Sequence, residues 1–247
     1  MILHCRRPTP VRRSETRLEA ASTYTKEVKC AICQVRKPRR ECPGVHGEIC
    51  TICCGTEREQ SIDCPLDCVW LHEAHEHERP PDIDPALLPN QDIQVTEDFL
   101  REHEVLLAFL AVSVFEGVME SPGATDWDVR EALDALVATW RTLQSGIYYE
   151  ARPANLYAAA IAGHVQTVIE EVRQKEAQEH GVSSIRDSDV LGVLAFLQRL
   201  EYTRNNGRKR SRAFIDFLGG FYVPSMEAGA EDPVENLTEP DEPLIIL

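Results

Sequence analysis

The chain has 247 residues and a formal net charge of −15, with 43% hydrophobic and 27% charged residues. This length suffices for one large or two small domains, and no stretch approaches the roughly 20 apolar residues that cross a bilayer. Residues 1–60 carry 12 Lys and Arg against 7 Asp and Glu, whereas residues 61–247 carry 14 against 34. The acidic rear argues against nucleic-acid binding by the whole chain, but a local basic contact at the front stays open.

Residues 1–27 are rich in Arg, Pro, Thr and Ser and lack apolar periodicity, which predicts a mobile basic arm. The arm has no apolar run of the length that a signal peptide needs, so we expect a cytoplasmic protein without membrane contact. Eight of the nine cysteines follow between Cys30 and Cys68, inside a Cys-rich segment that spans residues 28–78. Because disulfides seldom persist in the cytoplasm, this density favours metal binding over a disulfide scaffold or free redox thiols.

Two Cys-x2-Cys pairs, Cys30–Cys33 and Cys50–Cys53, are separated by 16 residues, and a Cys-x3-Cys pair follows at Cys64–Cys68. A two-residue gap lets both thiolates of a turn face one ion, and Zn²⁺ takes four such ligands as a tetrahedron. Eight thiols therefore predict two zinc ions. The simplest partition assigns one ion to the two Cys-x2-Cys pairs and the other to the remaining four, which are Cys42, Cys54, Cys64 and Cys68.

The identity of the ligands and that of the metal both have alternatives. His72, which follows Cys68 after three residues, is included among the predicted ligands, and His46 is a second candidate to replace a cysteine. His75 and His77 lie among glutamates before the prolines, which favours a solvated helix end. Iron–sulfur clusters also use four thiolates and are the alternative cofactor, although the familiar ferredoxin spacings are absent.

The alternating ligands, closing with "CPLDCVWLH", resemble the cross-brace fingers of the RING, HIT and MYND types over residues 30–72 only. The adjacent Cys53–Cys54 pair and the lone Cys42 depart from those families, which have a paired ligand there. The stretch "CPGVHGEICTICCGTEREQSIDCPLDC" is also similar to a Cys-rich segment of uncharacterised bacterial proteins. These resemblances imply a zinc-binding segment and bring no known activity with them.

A basic run, "VRKPRR", lies between Cys33 and Cys42 and contains Arg36, Lys37, Arg39 and Arg40. These side chains either neutralise the thiolates or contact a nucleic acid or an acidic partner. A second basic stretch, "TRNNGRKRSR" at 203–212, would add to a phosphate-binding surface.

Four prolines within 79–95 predict a linker, and helical periodicity then begins at Thr96 as N-cap. Apolar stripes predict five helices, with breaks at 121–126, Gly146 and Gly181, and with Asp126 capping the second. The stripes include Trp127 in the second helix and Leu156 in the third. From Pro224 the sequence is acidic and proline-rich, which predicts a disordered tail over 224–247. The predicted fold is a small metal-stabilised zinc-finger-like domain followed by an all-α helical bundle over 96–223.

No phosphate loop, nucleophile elbow or acid/base pair identifies a catalytic residue, so the motifs give an enzyme no support. The first hypothesis is a non-catalytic zinc-binding protein whose structural double-zinc finger acts as a protein-interaction module tethered to the bundle. The alternatives are a nucleic-acid-binding regulatory protein and a thiol or iron–sulfur redox or metal sensor with Cys54 or Cys5 as reactive thiol. The sequence indicates neither the protein partner nor the oligomeric state.

Overall fold

The part of the chain that the structure describes contains two short strands, eight α-helices and one short 3-10 helix, Pro85–Leu87. The computed structural model describes residues 28–79, 81–146 and 149–231, the last seven of these as backbone. Strand β1 (Arg40–Cys42) pairs antiparallel with β2 (Gly47–Ile49). The helices, in chain order, are α1 (Thr51–Glu57), α2 (Val69–His77), α3 (Glu97–Glu102), α4 (Glu104–Met119), α5 (Asp126–Gln144), α6 (Leu156–His180), α7 (Asp187–Arg204) and α8 (Ala213–Glu231).

The Cys-rich segment folds as the β1–β2 hairpin followed by α1 and α2, around a small core of its own. Cys50 is the N-cap of α1, and its sulfur accepts the N–H of Cys53 at 3.4 Å. Gly44, in the hairpin turn, has no room for a side chain because an added Cβ would lie 2.5 Å from the carbonyl oxygen of Asp63. The turn therefore packs directly against the segment that leads to Cys64.

Helices α4–α8 form the helical bundle that the apolar stripes predict. Helix α5 packs on α6 and α7, while α4 packs on α6 and α8. Each helix contributes fully buried side chains to one core, among them Leu110, Leu133, Ile161, Leu194 and Phe214. The predominance of helix behind the Cys-rich segment is thus confirmed.

Helix ends match the sequence in part. Thr96 is the N-cap of α3, with its hydroxyl accepting the N–H of Phe99 at 3.2 Å, and Gly181 closes α6 with φ +82°. The first predicted helix is divided at His103, where α3 ends and α4 begins. The prediction that Asp126 caps the second helix is wrong, because Thr125 is the N-cap of α5 and forms a capping box with a residue three positions later.

Asp126 instead caps a different helix. Its carboxylate is fully buried and accepts the N–H groups of Phe214 at 3.0 Å and Ile215 at 3.1 Å, in the first turn of α8. Two residues that the sequence places on apolar stripes are exposed. Trp127, 39% exposed, donates its indole N–H to the carbonyl of Arg208, and Leu156, 85% exposed, is the first residue of α6.

The proline-rich residues before α3 lie along the bundle. Leu88 is buried, and the Arg199 guanidinium donates to the carbonyls of Asn90 at 2.6 Å and Ile93 at 2.7 Å. At the other end, α8 continues as helix through Pro224 to Glu231. The basic arm, 1–27, and the part of the acidic tail after 231 lie outside the described residues.

Of the helices within the described residues, none combines the length and apolar character needed to span a bilayer.

Candidate metal centre

Four cysteines predicted to bind one ion come together at the N-terminal end of the Cys-rich segment. The sulfurs of Cys30, Cys33, Cys50 and Cys53 all lie within 4.8 Å of one another. Two come from the turn before β1 and two from the start of α1, and the N–H of Cys50 donates to the sulfur of Cys30 at 3.2 Å. The two Cys-x2-Cys pairs thus form one group, as their spacing predicts.

Backbone N–H groups favour the thiolate form at part of this group. Burial alone would raise the pKa of the Cys30 thiol, but the N–H groups of Cys33, Cys50 and Ile32 outweigh burial and lower the pKa to about 6. The pKa of Cys33 is lowered by the N–H groups of Arg36 and Val35. Burial and the three neighbouring sulfurs raise the pKa of Cys53 to about 12. In the absence of a cation, four thiolates this close would repel one another.

The donor set fits a tetrahedral metal ion. Zinc–sulfur bonds of about 2.3 Å place the corners of a tetrahedron about 3.8 Å apart, within the observed spacing. All eight cysteines within the described residues are free of disulfide bonds. Four converging thiols without a disulfide can hold a metal ion in a closed site, with no coordination position left for a substrate.

The second predicted group surrounds one narrow cavity. Cys42, Cys54, Cys64 and Cys68 all line a space of about 10 Å³ beside Ile49, Ile62 and Leu71. Within the described residues, these four sulfurs do not reach the 4.8 Å mutual spacing of the first group. Burial raises the pKa of Cys42, and raises that of Cys64 to about 11. The cavity therefore collects the four predicted ligands without drawing them to coordination distance.

His72 does not join either group of cysteines. Its side chain is 56% exposed, and its Nδ1 lies 3.3 Å from the carboxylate of Asp216, in α8. Its Nε2 lies 3.6 Å from Glu76 on the same helix. His72, in the first turn of α2, thus contacts α8 of the bundle. His46, the other histidine considered, is exposed in the β1–β2 turn with φ +52°.

The four basic residues near the cysteines divide into two pairs. Arg40 stacks on Trp70, with its guanidinium carbon 4.3 Å from the ring centroid, and donates to the sulfur of Cys54 at 3.3 Å. The pKa of Arg36 is raised, chiefly by a hydrogen bond to Cys50. Lys37 and Arg39 are exposed to solvent. Two of the four bases thus contact cysteines directly.

A buried polar network joins the Cys-rich segment to the bundle, and no sequence pattern indicated it. Glu59 is fully buried, and its carboxylate lies 3.2 Å from Nε2 of His75, whose Nδ1 lies 2.7 Å from Asp216. Burial lowers the pKa of His75, but the two carboxylates outweigh burial and raise it to about 9. The two carboxylates thus favour the protonated imidazole, and His75 lies between the two regions rather than in solvent.

Glu78, the C-cap of α2, also finds hydrogen-bond partners in this network. Glu78 comes within 4.8 Å of Glu59 and His75, a spacing that a metal ion would also accept. However, the Asn206 amide donates to Glu59 at 2.7 Å and to Glu78 at 3.0 Å, and Arg208 pairs with Glu78 at 2.8 Å. The carboxylates are already matched by protein cations and donors, so we assign no metal to them.

The basic stretch 203–212 takes part in this junction. Arg208 donates to the carbonyl of Arg58 at 2.8 Å, and both Arg210 and Arg212 pair with Asp63. Three bases that the sequence offered for phosphate binding therefore hold the Cys-rich segment on the bundle.

Comparison with protein-family models, with curated proteins and with solved structures found no match to this chain.

Proposed function

We propose that the protein is a non-catalytic zinc-binding protein whose structural double-zinc finger, the Cys-rich segment, binds a protein partner. The proposal of a bound metal rests on one observation. The sulfurs of two Cys-x2-Cys pairs, Cys30–Cys33 and Cys50–Cys53, lie within 4.8 Å of one another. Sites made only of cysteine are usually closed and structural, whereas catalytic zinc sites keep an open position.

The second zinc ion would lie in the cavity lined by Cys42, Cys54, Cys64 and Cys68. Two hydrogen bonds support this assignment, because Arg40 donates to the sulfur of Cys54 and the N–H of Glu59 donates to that of Cys64. Donors of this kind stabilise thiolates and orient metal ligands. Binding an ion there would draw the four sulfurs closer together.

Exposed apolar side chains beside the first group favour a protein partner. Ile32 and Ile52 directly precede Cys33 and Cys53, and they are 36% and 52% exposed. Because these cysteines face one point, the two isoleucines lie at the same end of the segment. Val35, from the same turn, is 76% exposed. Apolar side chains grouped on a surface are typical of protein-binding sites.

Nucleic-acid binding has less support. Arg208, Arg210 and Arg212 pair with the Cys-rich segment, and Arg36 and Arg40 contact cysteines. Within these two basic stretches, few side chains then remain to contact phosphate, and the acidic rear of the chain would repel it. Replacing Lys37 and Arg39 by glutamine should leave retention on RNA or DNA unchanged at every salt concentration. If these residues bound phosphate, retention would instead fall steeply as salt is added.

Metal content per chain, with the visible absorption spectrum of anaerobically purified protein, tests the proposed cofactor. We expect two zinc ions and no colour. Brown, iron-containing protein would support the iron–sulfur sensor instead. A metal-free protein with titratable thiols would contradict both and favour redox chemistry.

Partner binding is tested on protein with confirmed zinc content. The double change Ile32→Ser and Ile52→Ser should abolish capture of partners that the unchanged protein retains, with zinc content unaffected. Val69→Ser is the matched control, because Val69 is 66% exposed but lies on α2. Equal capture by all three proteins would argue against this surface.

A further inference from the structure

The segment between Cys54 and Cys64 is held by the loop of the bundle that precedes α8. The Arg208 guanidinium donates to the carbonyls of Arg58 at 2.8 Å and Gly55 at 3.5 Å, at the C-terminal end of α1. The backbone N–H of Arg210 donates to the carbonyl of Glu59 at 2.7 Å. The loop thus binds the main chain that separates two predicted ligands of the second cysteine group.

Arg212 makes the closest connection between the two regions. It is 6% exposed, and its guanidinium donates to the carbonyl of Cys64, to the carbonyl of Ala124 at 3.0 Å and to Asp63 at 2.8 Å. Its backbone N–H donates to the carboxylate of Glu59 at 2.6 Å. One buried arginine therefore joins a predicted metal ligand to the loop between α4 and α5.

Glu59 continues this connection to the sulfur itself. Its carboxylate is held by Arg212, Asn206 and His75, while its own N–H donates to the sulfur of Cys64. The bundle thus reaches Cys64 at its carbonyl, through Arg212, and at its sulfur, through Glu59. By contrast, the sulfur of Cys30 in the first group receives N–H groups from within the Cys-rich segment.

We propose that Arg212 and Glu59 are positioning residues of the second metal centre, so that metal binding by Cys42, Cys54, Cys64 and Cys68 and docking of the Cys-rich segment on the bundle are one linked equilibrium. This inference rests on the proposed function, which supplies the second zinc ion. Linkage is reciprocal: the factor by which docking strengthens zinc binding is the factor by which zinc strengthens docking. The first centre lies outside this linkage.

Substitution of Arg212 tests the proposal, because the first centre serves as an internal control. Zinc is withdrawn from the full chain by a competing chromophoric chelator, and the two dissociation constants are compared. Arg212→Gln should weaken the binding of one zinc ion by about 10- to 100-fold, which is the usual effect of removing a group that holds a metal ligand. The affinity for the other zinc ion should stay unchanged. Lys209→Gln is the matched control, since Lys209 lies in the same loop, carries the same charge and is exposed. It should change neither constant.

A second measurement avoids the risk that Arg212→Gln fails to fold. Cys64→Ser removes a ligand of the second centre, and Cys33→Ser removes one of the first. The amides of Arg210 and Arg212 donate to Glu59 of the Cys-rich segment, so their hydrogen exchange should accelerate at least tenfold in Cys64→Ser and stay unchanged in Cys33→Ser.

The outcomes separate this inference from the proposed function. If the protein without substitutions contains no zinc, the proposed function itself is wrong. If both zinc affinities are unchanged in Arg212→Gln, or if hydrogen exchange is equal in the two cysteine variants, the linkage is wrong and the proposed function still stands.

Discussion

The Cys-rich segment and the bundle are stabilised by different means. Among the described residues, the bundle core contains 27 buried side chains, all aliphatic or aromatic, drawn from α3–α8 and the loop before α5. The core of the Cys-rich segment has nine, and six of these are cysteines; the others are Ile49, Ile62 and Leu71. Apolar burial can therefore stabilise the bundle, whereas about fifty residues around three aliphatic side chains need a metal or another staple.

The contact between the two regions differs from both cores because it is mainly polar. Glu59 and Arg212 are buried there with hydrogen-bonded partners, and among the described residues of the Cys-rich segment Leu66 packs against the bundle core. A buried charge is tolerated when it is paired, but losing one partner is strongly destabilising. The Cys-rich segment is thus attached through contacts that require an accurate geometry, which a bound ion would help to maintain.

Removing the metal should have the largest effect and should distinguish the two regions most clearly. Zinc contributes about 10–16 kcal/mol to the folding of small finger peptides. With Cys33→Ser, we expect the turn at the first centre, residues 30–36, to lose protection from hydrogen exchange while α4–α7 keep theirs. Hydrogen exchange monitored by mass spectrometry provides the measurement.

Gln34→Ala is the control for that experiment, since Gln34 is exposed in the same turn. It should preserve zinc content and protection. Loss of protection throughout the bundle in Cys33→Ser would show that the two regions are one cooperative unit, contrary to the comparison.

A cavity in the bundle should produce the opposite pattern. Leu133 is fully buried in α5, and Leu133→Ala should lower the free energy of unfolding of the bundle by about 3–5 kcal/mol. Urea denaturation followed by circular dichroism measures this loss. Zinc content per chain should stay unchanged, because the cysteines do not depend on that part of the core. A loss below about 1 kcal/mol would mean that the apolar core contributes less than its burial indicates.

The parts of this structure that follow from local chemistry could be predicted from the sequence. The spacing of Cys30, Cys33, Cys50 and Cys53 brings four thiols together because each pair occupies one turn. The cap at Thr96 likewise depends on residues within one helical turn. The apolar stripes predict a helical core for the same reason, since their period alone places them on one face.

Contacts between distant parts of the chain could not be predicted in this way. Glu59 and Arg212 are 153 positions apart, and nothing in "TEREQ" or "GRKRSR" indicates that they meet. Asp126 has the position and chemistry of an N-cap, yet it caps α8, 88 residues away. A charged residue in a polar stretch is usually solvated, so its burial depends on tertiary packing that single-sequence patterns do not contain.

The charge on His75 gives the junction a pH dependence. Its pKa of about 9 in the folded protein exceeds its ordinary value of 6.5, so the protonated imidazole stabilises the fold below pH 6.5. This stabilisation is lost as the pH rises through about 9, and amounts to about 3 kcal/mol. The cause is the pairing with Glu59 and Asp216, with Glu78 also close to the ring.

The measurement for His75 is the free energy of unfolding at pH 6.5 and pH 9.5, compared with that of His75→Gln. Thiols and other groups titrate equally in both proteins, so the difference isolates the imidazole. The unchanged protein should lose more stability than the variant over this range. Parallel pH profiles would show that His75 is neutral in the fold.

The smallest expected effect separates two neighbouring arginines. Arg40 stacks on Trp70 and donates to Cys54, whereas Arg39 is exposed. Arg40→Gln should lower the stability of the zinc-bound Cys-rich segment by about 1 kcal/mol through the lost cation–π contact. Arg39→Gln should stay within about 0.5 kcal/mol of the unchanged protein. Both variants remove one positive charge near the cysteines, so equal losses would mean that the basic run acts through its summed charge, and unequal losses that one arginine acts through its geometry.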